Sequence, residues 1–492
     1  MQTRIGTSNT PSGLRELWTI FHDGLPPAEQ VLAQTLQGLV GKQRPKIWLR
    51  SKSMYAVVED QLRREGVALR PAASVWELLG QFKANVNGAI IYRLGTPSLN
   101  VATSLCGPLG GVAIDESLRE RAQEHGLKIL ADVRAMDEQQ AWAKYRPLFA
   151  RGVAVEQSVT KPGHLRDFAV SQNAFTFFTQ DPAFRTEVLR ALGPNAIVYG
   201  WGPDEYGWVQ GLSRAGATGG PADWAINLSA LQHLPAGKLK RPARPALTAE
   251  DGVRYVAFVM SDGDNIQWLC GNFVGNANYW DSPLRGKFPM TWEVSPLLAR
   301  VGPRVLQHLY ATARDTDGFV TGPGVPGYTF LHLQPDRAAL ARQAAPLLRQ
   351  SDLPVVSTLN ANEGNLRQTI PLLELPEVQG MIYKDYSPYH RQGGEIFWHN
   401  GKPCVSYKFL LWERLMEPED LARAVSNMPP APRADEASYA LVNVHAWSYG
   451  NTGGPMEAVR RAISLLPANT RVVTADQIIS LLRANFAQKH IA

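Results

Sequence analysis

From residue 196 onward the chain repeats one order: a short apolar run, a polar cluster, then a helical stretch. The runs are "AIVYGW" (196–201), "RYVAFVM" (254–260), "MTWEV" (290–294), "GFVTG" (318–322), "PVVSTLN" (354–360), "GMIYKDY" (380–386), "PCVSYKF" (403–409), "YALVNVHAW" (439–447) and "RVVTAD" (471–476). Amphipathic stretches such as "PDRAALARQAAPLLRQS" and "PMEAVRRAISLL" separate several of them. Strands joined through helices cannot pair as hairpins, so the sheet they build is mainly parallel. Roughly seven to nine such units over about 300 residues fit a (β/α) barrel, complete or irregular. An open doubly wound sheet is the alternative.

The first third shows the same alternation in smaller units. "AEQVLAQTLQGLVGK" reads as a helix before the strand "PKIWLR" (45–50), and "MYAVVEDQLRREG" as a helix stopped by Gly66. "GAIIYRL" (88–94), "GGVAID" (110–115) and "LKILAD" (127–132) read as strands. Their ends carry no carboxylate cluster, and "CGPLGG" is a lone glycine-rich turn rather than a phosphate loop. The expected organisation is α/β: an accessory α/β domain over residues 1–150, then a (β/α) barrel-like domain over 151–492.

Polar residues collect where a parallel barrel binds its ligands, just past the strands. Asp204 and Glu205 follow "AIVYGW", and Asp262, Asp264 and Asn265 follow "RYVAFVM". Glu293 and Ser295 end "MTWEVS"; Asn360 ends "STLN", with Asn362 and Glu363 behind it. Lys384, Asp385, Tyr386 and His390 lie in "IYKDYSPYH", and Asn443, His445 and Trp447 in "VNVHAWSYGN". A helix N-cap accounts for any single Asp, and a hydrogen-bonded core histidine for His445. So many polar strand ends together point to a pocket. Trp201, Trp268 and Trp447 follow strand ends among these carboxylates, and aromatic faces beside carboxylates suit a sugar ring.

Composition narrows the partners. A net charge of +6 includes the run "KLKRPARP" (238–245), which reads as a solvated linker. No aromatic–basic pattern of a nucleic-acid reader accompanies it. Cys106, Cys270 and Cys404 are far apart and have no metal-ligand spacing. No apolar run is long enough to span a membrane. The N-terminal "MQTRIGTSNTPSGLRELW" has no apolar leader core, so the protein is expected to be cytoplasmic, or secreted with a leader removed. Oligomeric state is not legible.

"SDGDNIQW" (261–268), "MTWEVSPLL" (290–298), "GPGVPGYTF" (322–330) and the "VNVHAW" region resemble the GxGYxYP family, classed with glycoside hydrolases. "TLQGLVGKQRPKIWL" and "YGWGPDEYGWV" are similar to the family's upstream parts. The signature falls on "VPGYTFL" (325–331): Gly327 and Tyr328 match it, while Val325, Phe330 and Leu331 depart from it. The resemblance implies a sugar-directed enzyme in which Tyr328 contacts substrate.

Glycoside hydrolysis needs two carboxyl groups across one bond, one of them held protonated. The candidate catalytic residues are Asp262, Asp264, Glu293 and Asp385. Trp201, Asp204, Glu205, Asn265, Trp268, Tyr328, Asn360, Glu363, His445 and Trp447 are candidate substrate contacts. Asp262 is expected to point into the barrel mouth. Gly263 is expected to permit the turn that returns Asp264, and Glu293 to be the opposing carboxylate. No cofactor is required. A divalent ion on Asp262, Asp264, Asn265 and His445 would instead make a carbohydrate deacetylase or esterase, and a non-catalytic carbohydrate-binding protein is the third reading.

Overall fold

A computed structural model describes residues 13–361 and 363–491. Asn362 and most of the N-terminal stretch read for a leader lie outside the described residues.

Three small parallel sheets come first. Glu16–Phe21 sits between Ile47–Arg50 and Ala68–Pro71. Gly88–Tyr92 sits between Gly111–Asp115 and Ile129–Asp132. The third sheet runs in the order Thr218–Pro221, Ile197–Gly200, Val153–Glu156, Phe175–Phe177. The run "AIVYGW", expected among the barrel strands, therefore belongs to a separate sheet. The edge strands of that sheet, "TGGP" and "FTF", are too short to show a strand period in sequence.

Most of the remaining parallel strands form a barrel-like ring; Thr470–Val472, from the run "RVVTAD", lies off its path and pairs only with the start of Arg254–Met260. One arc has the order Asp317–Thr321, Met290–Val294, Arg254–Met260, Tyr439–Val444, Phe409–Leu411. The other has the order Val355–Asn360, Gly380–Asp385, Lys402–Ser406, with antiparallel Ile396–His399 at its edge. The arcs meet at two seams. At one, the Ser357 N–H donates to Thr321 Oγ1 at 2.9 Å, and the Gly324 N–H to the Ser357 carbonyl at 3.0 Å. At the other, a single run crosses over: the Tyr407 N–H donates to the Tyr383 carbonyl, and the next residue's N–H to the Leu441 carbonyl.

Every residue of Arg254–Met260 is buried, as a strand covered on both faces requires. Helices such as Arg337–Ser351 and Ala475–Phe486 lie outside, the latter opened by a capping box at Thr474. One apolar core runs from Leu17 and Trp48 of the first sheet to Phe258 and Trp292 of the ring. The basic segment 238–245 does not trail in solvent: Lys240 and the Arg241 N–H bind Asp352, and the Arg241 and Arg244 guanidinium groups face Asp476. The three cysteines are buried and free. Among the described residues no helix is long and apolar enough to cross a membrane.

Candidate functional site

The floor is the turn after Arg254–Met260. The Ser261 N–H still bonds the Val444 carbonyl, so the strand pairing runs one residue past the strand. Asp262 then takes the left-handed conformation, φ 69°, and turns the chain. Asp is among the side chains that tolerate this region. The glycine beside it serves a different purpose from the one expected. A Cβ on Gly263 would lie 2.1 Å from the Glu293 carbonyl oxygen, so Gly263 is there for close approach to the next strand. Asn265 accepts from the Trp268 N–H at 3.1 Å and caps the short helix Ile266–Trp268.

Asp262, Asp264 and Asn265 open onto a cavity of about 210 Å³. Its other walls are Trp201, Glu205, Pro323, Tyr328, Leu359, Lys384, Tyr389 and Trp447. Glu205 and Trp201 come from the third sheet, not from the ring. Asp204 caps the helix Glu205–Arg214 through the Gly207 N–H at 2.6 Å and stays exposed outside the cavity. The next residue, Glu205, turns inward.

The loop 322–330 brings the two parts together. Gly219 and Tyr328 exchange both backbone hydrogen bonds, at 2.8 and 2.7 Å. A Cβ on Gly327 would lie 2.4 Å from the Gly219 carbonyl oxygen, so only glycine permits this approach. Thr329 Oγ1 meets Ser213 Oγ at 2.9 Å, and the Phe330 N–H donates to the same hydroxyl. The Tyr328 hydroxyl, now inside the cavity, donates to Glu205 Oε1 at 2.6 Å. Phe330 is fully buried against Tyr206 and Tyr386.

Glu293 lies behind the wall rather than on it. Lys384 Nζ sits 2.7 and 2.9 Å from its two carboxylate oxygens, and Ser357 Oγ donates at 2.8 Å. Both charged side chains are almost wholly buried. Lys384 reaches the cavity, and Glu293 holds it there. The opposing carboxylate on the wall is Glu205.

Burial holds Asp264, Glu205 and Glu293 toward their neutral forms. Burial raises Asp264 well above the usual carboxylate range, and repulsion from Asp262 and Glu205 adds to this while Lys384 opposes it. Among the described residues, no other residue donates a hydrogen bond to its carboxyl. Burial also raises Glu205, and the Tyr328 hydroxyl partly offsets that. Glu293 is raised by burial against the pull of Lys384.

Several expected residues are placed elsewhere. Asp385 accepts from the Gln392 backbone and side-chain N–H groups and fixes the loop after its strand. Asn360 accepts from the His332 N–H and ring, and the exposed Glu363 faces the same histidine at 3.5 Å. Trp268 is buried and supports the half-exposed Trp447 at 5.0 Å between ring centroids. His445 stacks flat on Trp412 at 3.9 Å and binds Ser448 Oγ. Among the described residues, no group of three or more His, Cys, Asp and Glu side chains is placed to hold a metal ion. Two wall residues are not among the expected site residues: Lys384, within "GMIYKDY" and named above only as a polar strand-end residue, and Tyr389, just after that run.

Three family models match the chain. They are described as "GxGYxYP putative glycoside hydrolase C-terminal domain" over residues 252–483, "GxGYxYP third domain" over 151–233 and "GxGYxYP_N second domain" over 86–149. Among solved structures, the chain resembles one titled "Crystal structure of a putative hydrolase from Bacteroides thetaiotaomicron VPI-5482". The two are 28% identical with a TM-score of 0.88, over 96% of this chain and 95% of that one. No curated protein gives a significant match.

Proposed function

Because the chain belongs to the GxGYxYP family, we propose that it is a glycoside hydrolase acting on an oligo- or polysaccharide in the cavity between Glu205, Asp262 and Asp264. The observation that carries this reading is Asp264: a carboxyl facing the cavity, with no donor from another residue, beside two further carboxyls. Such a group holds its proton to higher pH than a free carboxyl does and can deliver it to a departing glycosidic oxygen. Asp262 supplies the second carboxylate of the pair. Glu205, oriented by Tyr328, faces the sugar from the other side, and Lys384 donates to a sugar hydroxyl. Trp201, Tyr389 and Trp447 provide apolar walls for the ring. Residues 1–150 serve as an accessory unit; the cavity lining draws nothing from them.

The test is turnover of aryl glycosides and oligosaccharides by the parent, Asp262→Asn and Asp264→Asn. Both variants should lose about 10³-fold on an oligosaccharide. Asp264→Asn should regain most of its rate on a dinitrophenyl glycoside, whose leaving group needs no proton. An equal loss on both substrates would remove Asp264 as the acid. Activity that a chelator abolishes and a divalent ion restores would redirect the reading to a metal-dependent esterase or deacetylase. Binding without turnover by the parent would leave a carbohydrate-binding protein.

A further inference from the structure

A cavity of about 210 Å³ is smaller than the ~300–1,000 Å³ usual for small-molecule sites and has room for little more than one sugar ring. The rest of any longer glycan must lie on the surface outside it. The helix Ile266–Trp268 follows the acidic floor. Its last two residues each hold a half-exposed tryptophan. Trp268 packs on Trp447, which is 50% exposed and lines the cavity. Gln267 Oε1 accepts from the Trp224 N–H at 2.7 Å, and Trp224 is 49% exposed. Trp224 is not part of the cavity wall and contributes nothing to the reading above.

The backbone that carries Trp224 is held by hydrogen bonds. It sits in the turn after Thr218–Pro221, closed by the Ala225 N–H to the Ala222 carbonyl at 2.8 Å. The buried Gln157 side chain holds the same turn by donating to the Asp223 carbonyl at 2.9 Å. His164 meets the indole edge-on at 4.9 Å. Lys161 Nζ stands 4.6 Å from the ring centroid and also pairs with Asp223. A large apolar ring left half in water on a hydrogen-bonded turn, with an ammonium group over one face, has the make-up of a sugar platform: the other face for C–H groups and a donor for hydroxyls.

We infer that Trp224, with Lys161 beside it, forms a second sugar-binding position outside the cavity, which takes the part of an oligosaccharide that the cavity does not hold. This rests on the glycosidase reading of the cavity. The experiment separates the two by measuring binding without turnover. The Asp264→Asn protein, with and without Trp224→Ala, is titrated calorimetrically with cello-, manno-, malto- and chitotetraose and with the matching monosaccharides. At least one tetrasaccharide should bind about tenfold tighter than its monosaccharide, and Trp224→Ala should remove that advantage while leaving monosaccharide affinity unchanged. Lys161→Met should remove part of it. The inference is overturned if no tetrasaccharide outbinds its monosaccharide, if the advantage survives Trp224→Ala, or if Trp224→Ala weakens both ligands equally. Failure of the glycosidase reading shows separately, as a parent protein that binds these sugars and releases none.

Discussion

Tyr328 donates its hydroxyl to Glu205 across 2.6 Å, and the bond crosses from a loop of the ring to a helix of the neighbouring sheet. The signature Gly–Tyr pair thus acts first as a joint. Gly327 lets two backbones touch, and the tyrosine orients a carboxyl that another sheet supplies.

Tyr328→Phe should move the acid limb of the kcat/KM profile to higher pH. The lost hydrogen bond is the contact that pulls the Glu205 carboxyl down, so its removal raises that group further and delays ionisation as pH rises. The stability cost should be only about 1 kcal/mol. A pH–rate profile superimposable on the parent's would show that Glu205 does not act as a carboxylate.

Asp264→Asn should stabilise the protein, and more so at higher pH. A carboxyl raised in the folded state binds its proton more tightly than in the unfolded chain. Its favourable contribution is complete below the unfolded value near 4 and is lost as pH rises toward the folded value. An amide is free of this penalty. Thermal midpoints of parent and variant should therefore nearly agree at pH 4 and diverge by pH 8. Equal midpoints at pH 8 would mean that the carboxyl is not held up.

Lys384 and Glu293 should be strongly coupled. Lys384→Met leaves a buried carboxylate without its cation and should cost about 3–5 kcal/mol. The double variant Lys384→Met/Glu293→Gln should be more stable than Lys384→Met alone. Urea unfolding of the four proteins gives the coupling. Additive effects would mean that the two charges do not depend on each other.

Gly263→Ala should damage the floor more than its size suggests. The new methyl group would meet the Glu293 backbone, and neither strand end can move without breaking its pairing. A loss of about 2–4 kcal/mol is expected, visible as a lower thermal midpoint. A stability equal to the parent's would show that the turn has slack.

Most of the ring was legible because its strands are buried runs ending in polar residues, a pattern that survives without any knowledge of the partner strands; "PCVSYKF" reads as one strand, but the chain changes arcs within it, so Lys402–Ser406 and Phe409–Leu411 are separate strands. The third sheet was not legible, because "TGGP" and "FTF" have no period to read. Within the site, the parity of one strand decided most. Lys384 and Asp385 are adjacent, so they face opposite sides of Gly380–Asp385, and nothing in "GMIYKDY" says which side is inside. The lysine turned inward to Glu293 and the cavity; the aspartate turned to Gln392. Asp204 and Glu205 show the same limit at a helix start. Both were read as polar ligands, but the cap position claims the first and frees the second. Asn265 is likewise claimed as a cap, although it still borders the cavity.

The carboxyls around the cavity hang from two separately bonded sheets, so their mutual spacing is a property of alignment as much as of chemistry. Ser213, Thr329 and Gln334 are not in the lining of this cavity, yet they set that alignment: the two hydroxyls meet at 2.9 Å, and Gln334 bonds both Thr329 and the Ala217 carbonyl. Drift at such positions would detune the site while every acid stayed in place and both sheets stayed whole. A relative that has fallen silent by this route would still display an intact set of carboxylates; the fault would be a joint out of true.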